Sequence, residues 1–103
     1  MNHKETLMNY RLQQAQETIL EINTMIKEKF STRSIINRSY YAMFYAILAL
    51  FIKYNITINT SKHSGIITIF DYKEFLQFDE AIELANNAKE FVNMIQKIII
   101  NQS

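Results

Sequence analysis

Apolar residues in the first third of the chain recur at steps of four and three: Met8, Leu12, Ala15, Ile19, Ile22 and Ile26. That spacing places them on one face of a helix running from about His3 to Lys29. Lys4, Arg11, Gln14, Glu17, Glu21 and Glu28 fall on the opposite, solvated face. Phe30-Ser31-Thr32 breaks the pattern, and Ser31 or Thr32 suits the cap of a following helix because its hydroxyl can accept a free first-turn N–H. The second helix is expected from about Arg33 to Tyr54. It is apolar nearly all round, as befits a central helix touched on several sides. Asn55 to Thr60 reads as a short extended connection, and Ser61 suits the cap of a short helix over Lys62 to Phe70. Gly65 inside that helix costs ~1 kcal/mol relative to alanine. Asp71 to Gln77 fits neither period. The last helix is expected over Phe78 to Asn101, with Ala81, Ala85, Ala88, Val92, Ile95 and Ile99 on its apolar face. Asp79, Glu80 and Glu83 in its first turns and Lys97 near its end complement the helix dipole. The pattern thus predicts an all-α, up-and-down helical bundle of three long helices and one short one, a single domain over 1–103 packed on the second helix.

Composition narrows the function classes. With 103 residues, no Pro and one Gly, the chain lacks the turn residues of an all-β fold. It has no Cys, hence neither a disulfide framework nor a thiolate metal site. A net charge of +1 gives no broad electrostatic footprint for nucleic acid or membrane, while leaving room for a local patch. The uninterrupted apolar run Tyr40 to Ile52 is 13 residues, short of the ~20 that span a bilayer, so a buried core helix is expected rather than a membrane segment. Met1 to Arg11 is polar and carries no signal-peptide apolar region. These absences lead us to expect a soluble, cytoplasmic protein. No glycine-rich phosphate loop is present and no cofactor is expected. The acids Asp79, Glu80 and Glu83 read as dipole-complementing surface, so no metal site is expected there.

Candidate chemistry centres on Arg38, the only charged side chain between Arg33 and Lys53. Tyr41, Ala42 and Tyr45 follow it at i+3, i+4 and i+7, on one stripe of the helix. Arg38 and Tyr45 should lie ~10.5 Å apart along the axis, with the small Ala42 leaving space between them. A guanidinium fork matches phosphate geometry with paired donors. A phenol, titrating ordinarily near ~10, can donate a hydrogen bond but is a poor general base at neutral pH. The plainer alternative is an arginine that pairs with a carboxylate or caps a carbonyl, beside tyrosines that only pack.

The stretch Asn37-Arg-Ser-Tyr-Tyr-Ala-Met-Phe-Tyr45 resembles the signature of the HEPN domain family of small prokaryotic helical proteins. Tyr10-Arg-Leu-Gln-Gln-Ala15 is similar to the family's first helix. Lys62-His-Ser-Gly-Ile-Ile-Thr-Ile-Phe70 is similar to its short third helix. Asp71-Tyr-Lys-Glu-Phe75, followed by Glu83 to Val92, resembles its C-terminal end. The resemblance implies a helical bundle that forms a homodimer. It also implies, for active members, metal-independent ribonuclease chemistry by an Arg and a His with four to six residues between them, with two copies meeting across the dimer interface. Many members are toxins encoded beside a minimal nucleotidyltransferase antitoxin, so RNA, a nucleotide or such a partner is the implied ligand. The family Arg maps to Arg38 and the His position to Tyr45, with Asn37, Tyr41 and His63 as supporting candidates.

Two departures from the family pattern stand out. A tyrosine replaces the histidine that would move a proton near neutral pH. Phe70 also runs straight into Asp71, where relatives carry a further helical segment. That shortening is expected to uncover apolar surface on the second helix and to increase its need for a second copy or a partner. Two functions remain open: an RNA-targeting or toxin-antitoxin ribonuclease, and a catalytically inactive interaction module.

Overall fold

The computed structural model describes residues 2–56 and 77–101, which form three α-helices and no strand. They are α1 (His3–Lys27), α2 (Thr32–Lys53) and α3 (Phe78–Asn101). α2 is central: it packs against both α1 and α3, which touch each other far less. The expected short helix over Lys62 to Phe70, the junction of Phe70 with Asp71, and His63 all lie outside the described residues.

Local chemistry sets each boundary. Asn2 caps α1 by accepting the Glu5 N–H on its Oδ1 at 2.8 Å, a signal the sequence reading passed over. α1 stops at Lys27 rather than Lys29 because Lys29 turns left-handed, at φ 57°. The Lys29 N–H then donates to the Ile26 carbonyl at 3.2 Å and the Phe30 N–H to the Met25 carbonyl at 2.8 Å, the paired bonds that close a helix end in a Schellman motif. Ser31 caps α2, accepting the Ser34 N–H at 3.2 Å. α2 ends in the same motif, with Asn55 at φ 59° and the Ile56 N–H bonded to the Phe51 carbonyl at 2.8 Å. α3 opens with the Gln77 N–H donating to the Glu80 carboxylate at 3.0 Å, one arm of a capping box.

The buried faces follow the predicted periodicity. Leu12, Ala15, Ile19 and Ile22 of α1 are buried, with Met8 and Ile26 packed at the margin. All six predicted positions of α3, from Ala81 to Ile99, are buried. α2 is less enclosed than its composition implies. It buries Ile35, Ile36, Ser39, Tyr40, Ala42, Ala46 and Ala49, while its other large apolar side chains are half-buried. Ser39 satisfies its hydroxyl on the Ile35 carbonyl at 2.8 Å, so its burial leaves no polar group unpaired. By length and composition α2 could cross a membrane; here it packs against two other helices, with 39% of its apolar window buried inside the protein. Lys53 ties the end of α2 to the end of α3, donating to the Ile99 carbonyl at 2.9 Å.

Candidate functional site

The turn between α1 and α2 opens a cleft of ≈ 590 Å³ lined by Met25, Phe30, Ser34, Asn37, Arg38, Tyr41 and Tyr45. Two elements build it. The Schellman turn places Phe30 beside Met25, and the first turns of α2 supply the rest. Ser34, Arg38, Tyr41 and Tyr45 succeed one another at steps of four, three and four, so one stripe of α2 forms the cleft wall. None of the described lining residues comes from α3.

Four of the five candidate residues therefore meet: Asn37, Arg38, Tyr41 and Tyr45 share one cleft. The fifth, His63, is among the undescribed residues. Sequence reasoning missed Ser34, Phe30 and Met25. Ser34 could have been found by extending the Arg38 stripe one turn toward the N-terminus. Phe30 could not, because its position depends on the left-handed turn at Lys29.

The structure revises the setting of Arg38. Its helix is expected from the sequence to be a buried core helix, yet the Arg38 side chain is 47% exposed. The stripe that carries it turns away from the core defined by Ile35, Ile36 and Ser39. Its Nε lies 3.6 Å from the Glu21 Oε2, across the seam between α2 and α1. This is the carboxylate pairing of the plainer alternative, but a loose one. The separation exceeds the ~2.7–2.9 Å of a charge-assisted hydrogen bond. Both partners are about half exposed, and such pairs are worth little because water and salt screen them.

The aromatic wall is held more firmly. The Tyr41 and Tyr45 rings sit 6.2 Å apart at a 30° tilt, and Tyr45 also meets Phe44 at 6.4 Å. Tyr45 packs on the core with one side and borders the cleft with the other. Tyr40, next along the helix, is buried and lies edge-on to Tyr41 at 5.3 Å. Burial, and secondarily the neighbouring Tyr41, pushes its phenol up to about 12. Tyr40 is thus a structural phenol, whereas Tyr41 and Tyr45 border the cleft.

Between positions 27 and 38 the charged side chains are mostly cationic. Lys27, Lys29, Arg33 and Arg38 are all exposed between positions 27 and 38, against the single acid Glu28. The acids of α3 are used locally: Asp79 accepts the Glu80 N–H at 3.0 Å and Glu80 accepts that of Gln77. Among the described residues no group of three or more His, Cys, Asp or Glu side chains could hold a metal ion.

A model of the HEPN domain matches residues 8–96, a span that contains the whole cleft. The chain belongs to the HEPN family. It is also similar to a UPF0332 protein of Thermotoga maritima, at 34% identity over 77 residues that span 75% of this chain and 55% of that protein. The chain thus covers about half the length of the curated relative it matches. No solved structure matches the chain. Arg38 and Tyr45, the two residues the sequence resemblance singled out, both border the α1–α2 cleft.

Proposed function

We propose that this HEPN protein acts on RNA as a homodimer, in a toxin-antitoxin or other RNA-targeting setting, with Arg38 gripping a backbone phosphate in the α1–α2 cleft. One observation carries the reading: a loosely paired, half-exposed arginine on the cleft wall, in line with Ser34, Tyr41 and Tyr45. The hydroxyls of Ser34 and Tyr45 and the amide of Asn37 are donors suited to phosphate oxygens. The exposed cations Lys27, Lys29 and Arg33 lie close in sequence to the cleft residues and can add phosphate contacts beside it. In a cleavage reaction Arg38 would stabilise charge developing on the phosphate, and Tyr45 would donate a hydrogen bond rather than abstract a proton. The test is incubation of purified protein with structured and unstructured RNA in the presence of a metal chelator. Cleavage is expected, and Arg38→Ala should abolish it; intact RNA at high protein concentration defeats the nuclease reading. Sedimentation across a range of concentrations reads the dimer, and a monomer throughout defeats the homodimer.

Tyr45 favours a second reading, since a phenol lacks the proton-transfer capacity of the histidine it replaces. In it the domain is a catalytically inactive module that binds a minimal nucleotidyltransferase partner or a nucleotide. Co-purification with the product of the adjacent gene supports this reading; free protein under co-expression counts against it.

A further inference from the structure

We infer that Glu21 sets how tightly Arg38 can hold a phosphate: it is an internal competitor for the guanidinium, a positioning residue that acts through Arg38. The inference rests on the phosphate-binding reading of Arg38. Glu21 lies on α1, outside the stretch of α2 that carries the family signature, and reaches Arg38 only because the two helices pack side by side. Its carboxylate offers the guanidinium the chemistry a phosphate would, two anionic oxygens, yet its Oε2 lies 3.6 Å from the Nε. With the side chains 47% and 53% exposed, solvent reaches both partners, so the contact is exchangeable rather than structural. An incoming phosphate must displace Glu21. Its apparent affinity is then lowered by the fraction of Arg38 that the carboxylate occupies. After displacement the freed carboxylate remains beside the bound anion and repels it.

Neutralising the competitor should therefore tighten anion binding. The measurement is anisotropy of a fluorescently labelled single-stranded oligoribonucleotide, titrated at several salt concentrations with the native protein, Glu21→Gln, Arg38→Ala and the double variant. Glutamine keeps the size and helix preference of glutamate, and an unchanged melting temperature establishes that the fold is kept. Glu21→Gln should bind about two- to five-fold more tightly, the span of one exposed ion pair. Its dependence of log K on log salt should steepen by about 0.7, because one more cation goes uncompensated before binding. In the Arg38→Ala background the same substitution should change nothing.

An equal gain in that background would show that Glu21 acts only as a general negative charge, overturning the inference. Unchanged binding by Glu21→Gln, with Arg38→Ala weakened, overturns the inference and leaves the RNA reading standing. Binding by Glu21→Gln where the native protein shows none supports it most strongly. No binding by either removes both.

Discussion

The two halves of α2 bury different kinds of side chain. The N-terminal half, up to Tyr41, buries the branched Ile35 and Ile36 together with Ser39 and Tyr40, and sends Arg38 to solvent. The C-terminal half, from Ala42, buries only Ala42, Ala46 and Ala49; its larger apolar residues are all half-buried. Five of these, Phe44, Ile47, Leu48, Phe51 and Ile52, recur at i, i+3, i+4, i+7 and i+8, on a single face. Met43, Tyr45 and Leu50 instead pack on the core. An apolar composition therefore does not report burial. Where alanines line the seam a neighbouring helix can approach closely, and the large side chains beside them end up at its edges. Where isoleucines line it they fill the interior themselves, and a charged neighbour can sit at the rim as part of a site.

If that contrast is right, the two halves should respond oppositely to changes of volume. Ile35 is fully buried, so Ile35→Ala should open a cavity and destabilise the fold by about 2–5 kcal/mol. At Ala46, equally buried, the damaging change is enlargement: Ala46→Leu should cost about 1–3 kcal/mol by forcing the helices apart. Chemical denaturation of both variants checks the pair. A mild Ile35→Ala beside a tolerated Ala46→Leu would show that the two seams are packed alike.

The aromatic run at the junction of the halves carries a pH signature. The Tyr40 phenol, held up to about 12, keeps its proton more tightly in the folded chain than in the unfolded one, where a phenol titrates near ~10. The stabilisation is complete below the unfolded value and is lost as pH rises through 10 towards about 12. The loss is on the order of 3 kcal/mol. Tyr40→Phe should flatten this alkaline limb relative to the native protein. An unchanged pH profile would show that burial does not hold the Tyr40 proton.

Most of the fold was legible in the sequence, and the reason is periodicity. Ala81 to Ile99 repeat at helical spacing over five turns, and α3 begins and ends as that repeat implies. Residue type narrowed the cap of α2 to Ser31 or Thr32, and Ser31 takes it. The stripe of Arg38, Tyr41 and Tyr45 was legible for the same reason, since residues on one helix are related by fixed rotation. What was not legible depends on the relation between helices. Glu21 is one of several acids on the polar face of α1, and nothing local marks it as the one that meets Arg38. The exposure of Arg38 likewise depends on which side of an all-apolar helix its neighbours choose, and the sequence of α2 alone does not specify that choice.

The smallest expected effect tests the turn that shapes the cleft. α1 and α2 end in the same backbone motif, with Lys29 at φ 57° and Asn55 at φ 59°. A side chain with a Cβ is strained in that region, and asparagine tolerates it better than lysine because its short amide can bond locally. Lys29→Gly should thus stabilise the protein by about 0.5–1 kcal/mol, and Asn55→Gly by less. The same Lys29→Gly removes one of the cations around the cleft while leaving Phe30 in place. Thermal melting and oligonucleotide binding then separate two roles for this position. A gain in stability with weaker, less salt-sensitive binding assigns Lys29 to the positive field around Arg38. A gain in stability with unchanged binding confines the phosphate contacts to the cleft wall itself.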